Sequence, residues 1–141
     1  MRKLGAVLLI AITFASYAAA KEKAPKNKQK DKRFEAVAVQ AADAAGSYRG
    51  PAESYGLVLE PGAGGTLRGN YVEMGRVAVL SSITLDGAAF TAQASFDDGS
   101  SRTITGSFAN RVFNGRTSFG IRLQDVPVEG MGAVDTFFER F

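Results

Sequence analysis

The sequence predicts an all-β protein: a small antiparallel β-barrel of about eight strands, or a β-sandwich, behind a short N-terminal helix. Three observations carry that prediction. Turn signals recur at "PGAGG" (61–65), Gly75, "DG" (86–87), "DDG" (97–99), "NG" (114–115) and "EGMG" (129–132), about 12 residues apart and then about 16. Such spacing suits hairpin-connected strands. Between the turns, apolar and polar residues alternate with period two, as in half-buried antiparallel strands. A faint repeat also pairs "TLRGNY" (66–71) with "TITGSF" (103–108) and suggests two four-strand halves. Eight strands can close on themselves and remove the sheet edges.

The first twenty residues, "MRKLGAVLLIAITFASYAAA", have a basic start at Arg2 and Lys3, an apolar run, and a small-residue end at Ala18–Ala20. This is the layout of a signal peptide. The run falls short of the roughly 20 apolar residues that span a bilayer. The expectation is an exported chain, periplasmic or secreted, with no transmembrane segment after cleavage before Lys21. No cysteine follows the apolar run, which excludes lipid attachment of the bacterial lipoprotein kind.

The segment 21–33, "KEKAPKNKQKDKR", has seven basic and two acidic residues and no aliphatic side chain larger than alanine. It cannot bury enough apolar surface to offset its ordering entropy, so a basic disordered tail is predicted. From Phe34 to Phe141 there are eight arginines, no lysine and twelve acidic residues, a net charge of −4. A basic arm thus precedes an acidic body. Lys21, Lys23, Lys26, Lys28, Lys30, Lys32 and Arg33 are the candidate contacts to an anionic envelope surface or polymer; the competing reading is a solvated spacer. No specific nucleic-acid partner is predicted.

In "DKRFEAVAVQAADAAGSYRG", Phe34, Val37 or Ala38, Ala41 and Ala45 fall at helical spacing, with Asp31 and Gly46 as candidate ends. This predicts a short helix over about 33–45, with a strand at "AVAVQ" as the alternative. The 34–141 segment is then one antiparallel domain. In "VAVLSSITL" (77–85) the predicted inner face is Val77, Val79, Ile83 and Leu85. In "AFTAQASF" (89–96) it is Phe90, Ala92, Ala94 and Phe96. Ile104 and Phe108 form the next inner face, followed by Phe119, Ile121 and Leu123. These side chains are bulky enough to fill the interior.

A helix running into Gly46-Ser47-Tyr48 at the first strand resembles the start of lipocalin-like barrels, which carry Gly-x-Trp there. The resemblance covers three residues and implies a lipocalin-like outline only, with no ligand carried over.

The chain has no cysteine and no histidine. That excludes Ser-His-Asp triads, thiol nucleophiles and the usual zinc sets, and leaves carboxylate, hydroxyl, arginine and tyrosine chemistry. "SFDDGSSRTI" (95–104) lacks the alternating ligands and twelfth-position Glu of a calcium loop, so Asp97 and Asp98 are read as turn residues. "EPGAGGTLRG" lacks the Lys-Ser/Thr and the following helix of a phosphate loop and is likewise a turn. A glycosidase-like carboxylate pair would have to come from Glu60, Glu73, Glu129, Asp135 or Glu139, and no spacing brings two together. Tyr48, Tyr55 and Tyr71 are the candidate ligand or partner contacts, since exposed aromatics stack on sugars and peptides; half-buried strand tyrosines are the competing reading.

An outer-membrane barrel is suggested by the terminal Phe141, but Glu139 and Asp135 interrupt its face and no Trp builds a girdle. The predicted function is therefore an exported, non-catalytic binding or interaction module without cofactor. A small lipocalin-like carrier of an apolar ligand is the alternative, and an outer-membrane barrel or a hydrolase comes third.

Overall fold

The computed structural model describes residues 33–141. The signal-peptide reading of 1–20, the lysines of the tail and the Asp31 cap lie outside them. Nine strands follow in order: β1 (Phe34–Ala36), β2 (Gly46–Arg49), β3 (Gly56–Pro61), β4 (Leu67–Glu73), β5 (Arg76–Asp86), β6 (Ala89–Phe96), β7 (Ser101–Phe113), β8 (Arg116–Val128) and β9 (Gly132–Arg140). A single helical turn, α1 (Ala41–Ala44), lies between β1 and β2. Strands β2 to β9 pair each with the next, and β9 returns to pair with β2. The result is a closed, eight-stranded antiparallel barrel. β1 is an extra strand on the far end of β7, with Phe34 opposite Arg111 and Ala36 opposite Ala109.

The turns sit where the sequence places them. Met74–Gly75 and Asn114–Gly115 each join two strands with both residues at positive φ. Paired positive φ matches the right-handed twist of a two-residue hairpin. Asp97 and Asp98 lie in the β6–β7 turn, with Gly99 at φ +93°. Asp98 Oδ1 accepts hydrogen bonds from the Ser100 N–H (2.9 Å) and hydroxyl (2.6 Å), and Arg76 Nη2 donates to Oδ2 at 2.9 Å.

The predicted helix over 33–45 is corrected by the structure. Its first part is strand β1, and only Ala41–Ala44 turn helically. The backbone between them is extended and bonds to its neighbours: Val37 N–H to Phe108 O, and Val39 N–H to Gly87 O. Small alanines suit either conformation, so the open flank of β7 decided the outcome.

The predicted inner face of β5 is half corrected. Ser82 adopts φ +50°, and the ladder to β6 shifts between Ser81 and Thr84. This bulge inserts one residue and reverses the side-chain parity. Ala78 and Leu80 therefore point inward before it and Ile83 and Leu85 after it, while Val77 and Val79 face out. A second bulge at Asp125 (φ +53°) does the same in β8, where Leu123 hands the inner face to Val126.

The interior is filled by aromatic and aliphatic side chains. Tyr71, Phe108, Phe138 and Ile121 have no exposure, and Phe90, Leu57 and Leu59 have almost none. Phe90 meets Phe108 edge-on at 6.0 Å, Tyr71 meets Phe96 at 6.4 Å, and Tyr71 meets Phe138 at 6.0 Å. Each such buried side chain contributes about 2 kcal/mol of transfer free energy. Phe119 stacks on Phe108 at 5.9 Å but is only partly buried, at the margin of this core.

The repeat corresponds to β4 and β7, which stand three strands apart in the chain, not four. The likeness is local and does not divide the barrel into halves. In both strands a glycine meets a neighbouring backbone and an inward aromatic follows two residues later. A Cβ on Gly69 would lie 2.2 Å from Val58 O, and one on Gly106 would lie 2.4 Å from Arg122 O.

Candidate functional site

The three tyrosines are core residues. Tyr71 is fully buried, Tyr48 is 2% exposed and Tyr55 is 7% exposed, so none presents a ring face to solvent. Tyr55 Oη donates to Pro127 O at 2.9 Å. Tyr48 Oη donates to Ala44 O at 2.5 Å and accepts from Arg140 Nη1 at 3.2 Å. Burial pushes the Tyr48 phenol above its ordinary pKa, against the pull of Arg140. Strand parity could have found this, because Tyr48 and Tyr71 share their strands' inner faces with Gly46 and Gly69.

Tyr71 leads to a group that sequence reasoning missed. Its hydroxyl donates to Glu73 Oε1 at 2.9 Å. Glu73 is only 1% exposed, and its Oε2 accepts from Arg102 Nη1 at 2.6 Å, with Arg76 Nη1 at 3.7 Å. Both guanidinium groups also lie over Phe96, at 4.3 Å for Arg76 and 5.9 Å for Arg102. Burial first, then the Glu73 charge and hydrogen bond, pushes the Tyr71 pKa far above its ordinary value. The hydrogen bond to Glu73 likewise raises that of Arg102. The signal was available: Glu73 continues the inner parity of Leu67, Gly69 and Tyr71, as Arg102 does that of Ile104 and Phe108. The arrangement closes one end of the barrel, with both carboxylate oxygens engaged.

The other candidate carboxylates are dispersed. Glu60 pairs with Arg68 and Glu139 with Arg111, each at 3.4 Å, and Asp135 Oδ1 accepts from the Asp125 N–H. Among the described residues, no three carboxylates are grouped to hold a metal ion.

Concave surface lies outside the barrel. A groove of about 500 Å³ runs along the outer wall of β2–β4, lined by Val58, Asn70, Val72, Pro51 and Phe141. Arg49 stacks over the Phe141 ring at 4.0 Å. A second groove of about 490 Å³ lies on the other side of Arg49–Pro51, lined by Arg111, Glu139, Asp135, Phe137 and Met131. A smaller recess of about 330 Å³ at the mouth is bounded by Val39, Leu67, Ile83 and Leu85. These surfaces can recognise shape, apolar groups and charge.

Of the predicted anionic-surface contacts, Lys21, Lys23, Lys26, Lys28, Lys30 and Lys32 lie outside the described residues. Arg33 is described: its guanidinium lies 5.6 Å from the Phe34 ring, and its carbonyl accepts from the Val112 N–H at 2.8 Å. Among the described residues no helix is long and apolar enough to cross a membrane. No protein-family model, curated protein or solved structure matches the chain.

Proposed function

We propose that the chain is an exported, non-catalytic interaction module. Its barrel is a rigid body that carries the basic segment Lys21–Arg33, and this segment engages an anionic envelope surface or polymer. The observation that supports this reading best is the filled interior. Phe90, Phe96, Phe108, Tyr71 and Phe138 occupy the space that a carrier would reserve for its ligand. Binding is thereby left to the outer surface and to the arm. A membrane-spanning barrel places its apolar band outside and its polar residues within. Here the aromatic core side chains face inward and Thr, Ser, Gln and Arg face out along β6 and β7, although Val58, Val77 and Val79 are exposed on the outer wall of β3 and β5. Glu73, the one buried carboxylate among the described residues, is held by Tyr71 and Arg102, which suits structural closure better than proton transfer.

The protein recovered outside the cytoplasm is expected to begin at Lys21. That form should sediment with anionic vesicles or envelope polymer at about 20 mM salt and release at about 300 mM, the range over which exposed charges become screened. Replacing the six arm lysines with glutamine should abolish sedimentation without changing the thermal midpoint. Unchanged sedimentation of that variant would reduce the arm to a spacer.

A further inference from the structure

We propose that the β7–β8 hairpin tip is a membrane-docking finger that seats Val112 and Phe113 in the interface of an anionic bilayer. The inference rests on the reading of Lys21–Arg33 as an anionic-surface binder, and it names the bilayer as that surface.

The hairpin outruns the strands beside it. β6 last pairs with β7 at Ser107, β1 reaches Arg111, and β9 last pairs with β8 at Gly120. Residues 112–117 project past these ladders and are all exposed. Phe113 is 54% exposed and Val112 46%. Successive strand residues point to opposite faces, so the two side chains flank the ribbon on both sides. The tip itself is a tight turn, Asn114–Gly115, with φ +52° and +75°. A stiff wedge with an aromatic side chain held in water has the form of an interfacial anchor, whose affinity comes from buried apolar area plus attraction to anionic lipid.

The charge around the tip has the matching sign. Arg116 stands opposite Phe113 in the ladder, and Arg111 precedes the pair. Two acids are near: Glu139, paired with Arg111, and Glu35, opposite Asn110 in the β1–β7 ladder. Arg33 O accepts the Val112 N–H bond, and in the sequence Arg33 directly follows the six-lysine segment. Basic residues at an anionic leaflet add attraction that decays within a Debye length. Apolar burial adds a part that salt does not screen. A soluble polyanion supplies the charge but no hydrocarbon, and would leave Phe113 in water.

The chain has no tryptophan, so Phe113→Trp makes a single reporter. In the chain beginning at Lys21, its emission should shift to shorter wavelength on adding phosphatidylglycerol vesicles. Val79→Trp, on the exposed outer wall of β5, should show no shift. Phe113→Ser should keep the parent's thermal midpoint and lower vesicle partitioning about tenfold at about 20 mM salt, where the parent is bound, as expected for withholding one half-exposed Phe from burial. An unshifted Phe113→Trp signal, or equal partitioning of Phe113→Ser and parent, overturns the finger and leaves the arm reading standing. Equal affinity of the parent for vesicles and for lipid-free polyphosphate makes the partner a polymer and overturns the bilayer assignment. Indifference of vesicle binding to the six Lys→Gln changes overturns the arm reading itself.

Discussion

Glu73 is a charged side chain with almost no access to water, and it is tolerable because its neighbours replace the water. Tyr71 donates to one oxygen and Arg102 to the other. An unpaired buried carboxylate would cost several kcal/mol, so the pair makes sense only as a unit. The same surroundings set the alkaline limit of the fold. Tyr48 and Tyr71 both hold their protons above the ordinary phenol value, Tyr71 by burial and then by the Glu73 charge. Unfolded phenols ionise near pH 10. Above that value the unfolded chain binds fewer protons than the native one, so stability falls as pH rises; below it the contribution is fully present. The thermal midpoint should hold level to about pH 9.5 and drop beyond about pH 10. Tyr71→Phe should make the drop shallower. Complete phenolate absorbance in protein that is still folded would contradict this account.

At the scale of elements, the barrel depends on places where a side chain must be missing. A Cβ at Gly69 or Gly106 would collide with the Val58 or Arg122 carbonyl, part of the ladder itself. Gly69→Ala and Gly106→Ala should each cost about 3 kcal/mol, as other forced overpacking does. Gly64→Ala, at a turn with open space around it, should cost less despite its φ of +67°. A denaturant titration of the three variants would check that order. The strands were legible because period two and turn chemistry are local properties. Phe90, Phe96 and Phe108 needed nothing else to be placed inside. The two bulges were not legible, because Ser82 is not a residue type that announces positive φ, and Asp125, which can adopt it, sits inside an unbroken strand pattern. One inserted residue then turned Val77 and Val79 outward. β1 was hidden for another reason: its partner is the overhang of β7, more than seventy residues away in the chain. At the candidate site, Glu73 and Tyr71 were each named as candidates, but their grouping with Arg102 was not seen, because charge reads as surface although parity puts Glu73 inside. The hairpin finger was invisible because exposure at Phe113 depends on where β6, β1 and β9 stop.

The eight-stranded barrel is a meander of neighbours closed by one distant contact, with β1 added at β7. Every ladder from β2 to β9 joins consecutive strands, and such local pairings are kinetically easy. The closing ladder is different. β2 and β9 register only through Tyr48 with Arg140 and Arg49 with Glu139, aided by the Phe141 N–H bond to Ser47 O. β7 and β8, by contrast, pair continuously from Gly106 with Leu123 to Phe113 with Arg116. Arg140 reinforces the join from the side, donating to Asp43 O at 2.6 Å and to the Tyr48 hydroxyl. Closure tells nothing about evenness. A ring of staves opens at its weakest joint, and the amide protons along that joint should report it. Hydrogen exchange at Arg49 and Arg140 should proceed by local opening, well before Phe108 and Ile121, whose protection requires the whole barrel to come apart. Equal protection at both places would mean that Arg140 binds the seam as firmly as a full ladder does. If the seam is the faster, the barrel keeps one preferred line of entry into its packed interior, with Tyr48 and Phe138 the first core side chains that water would meet there.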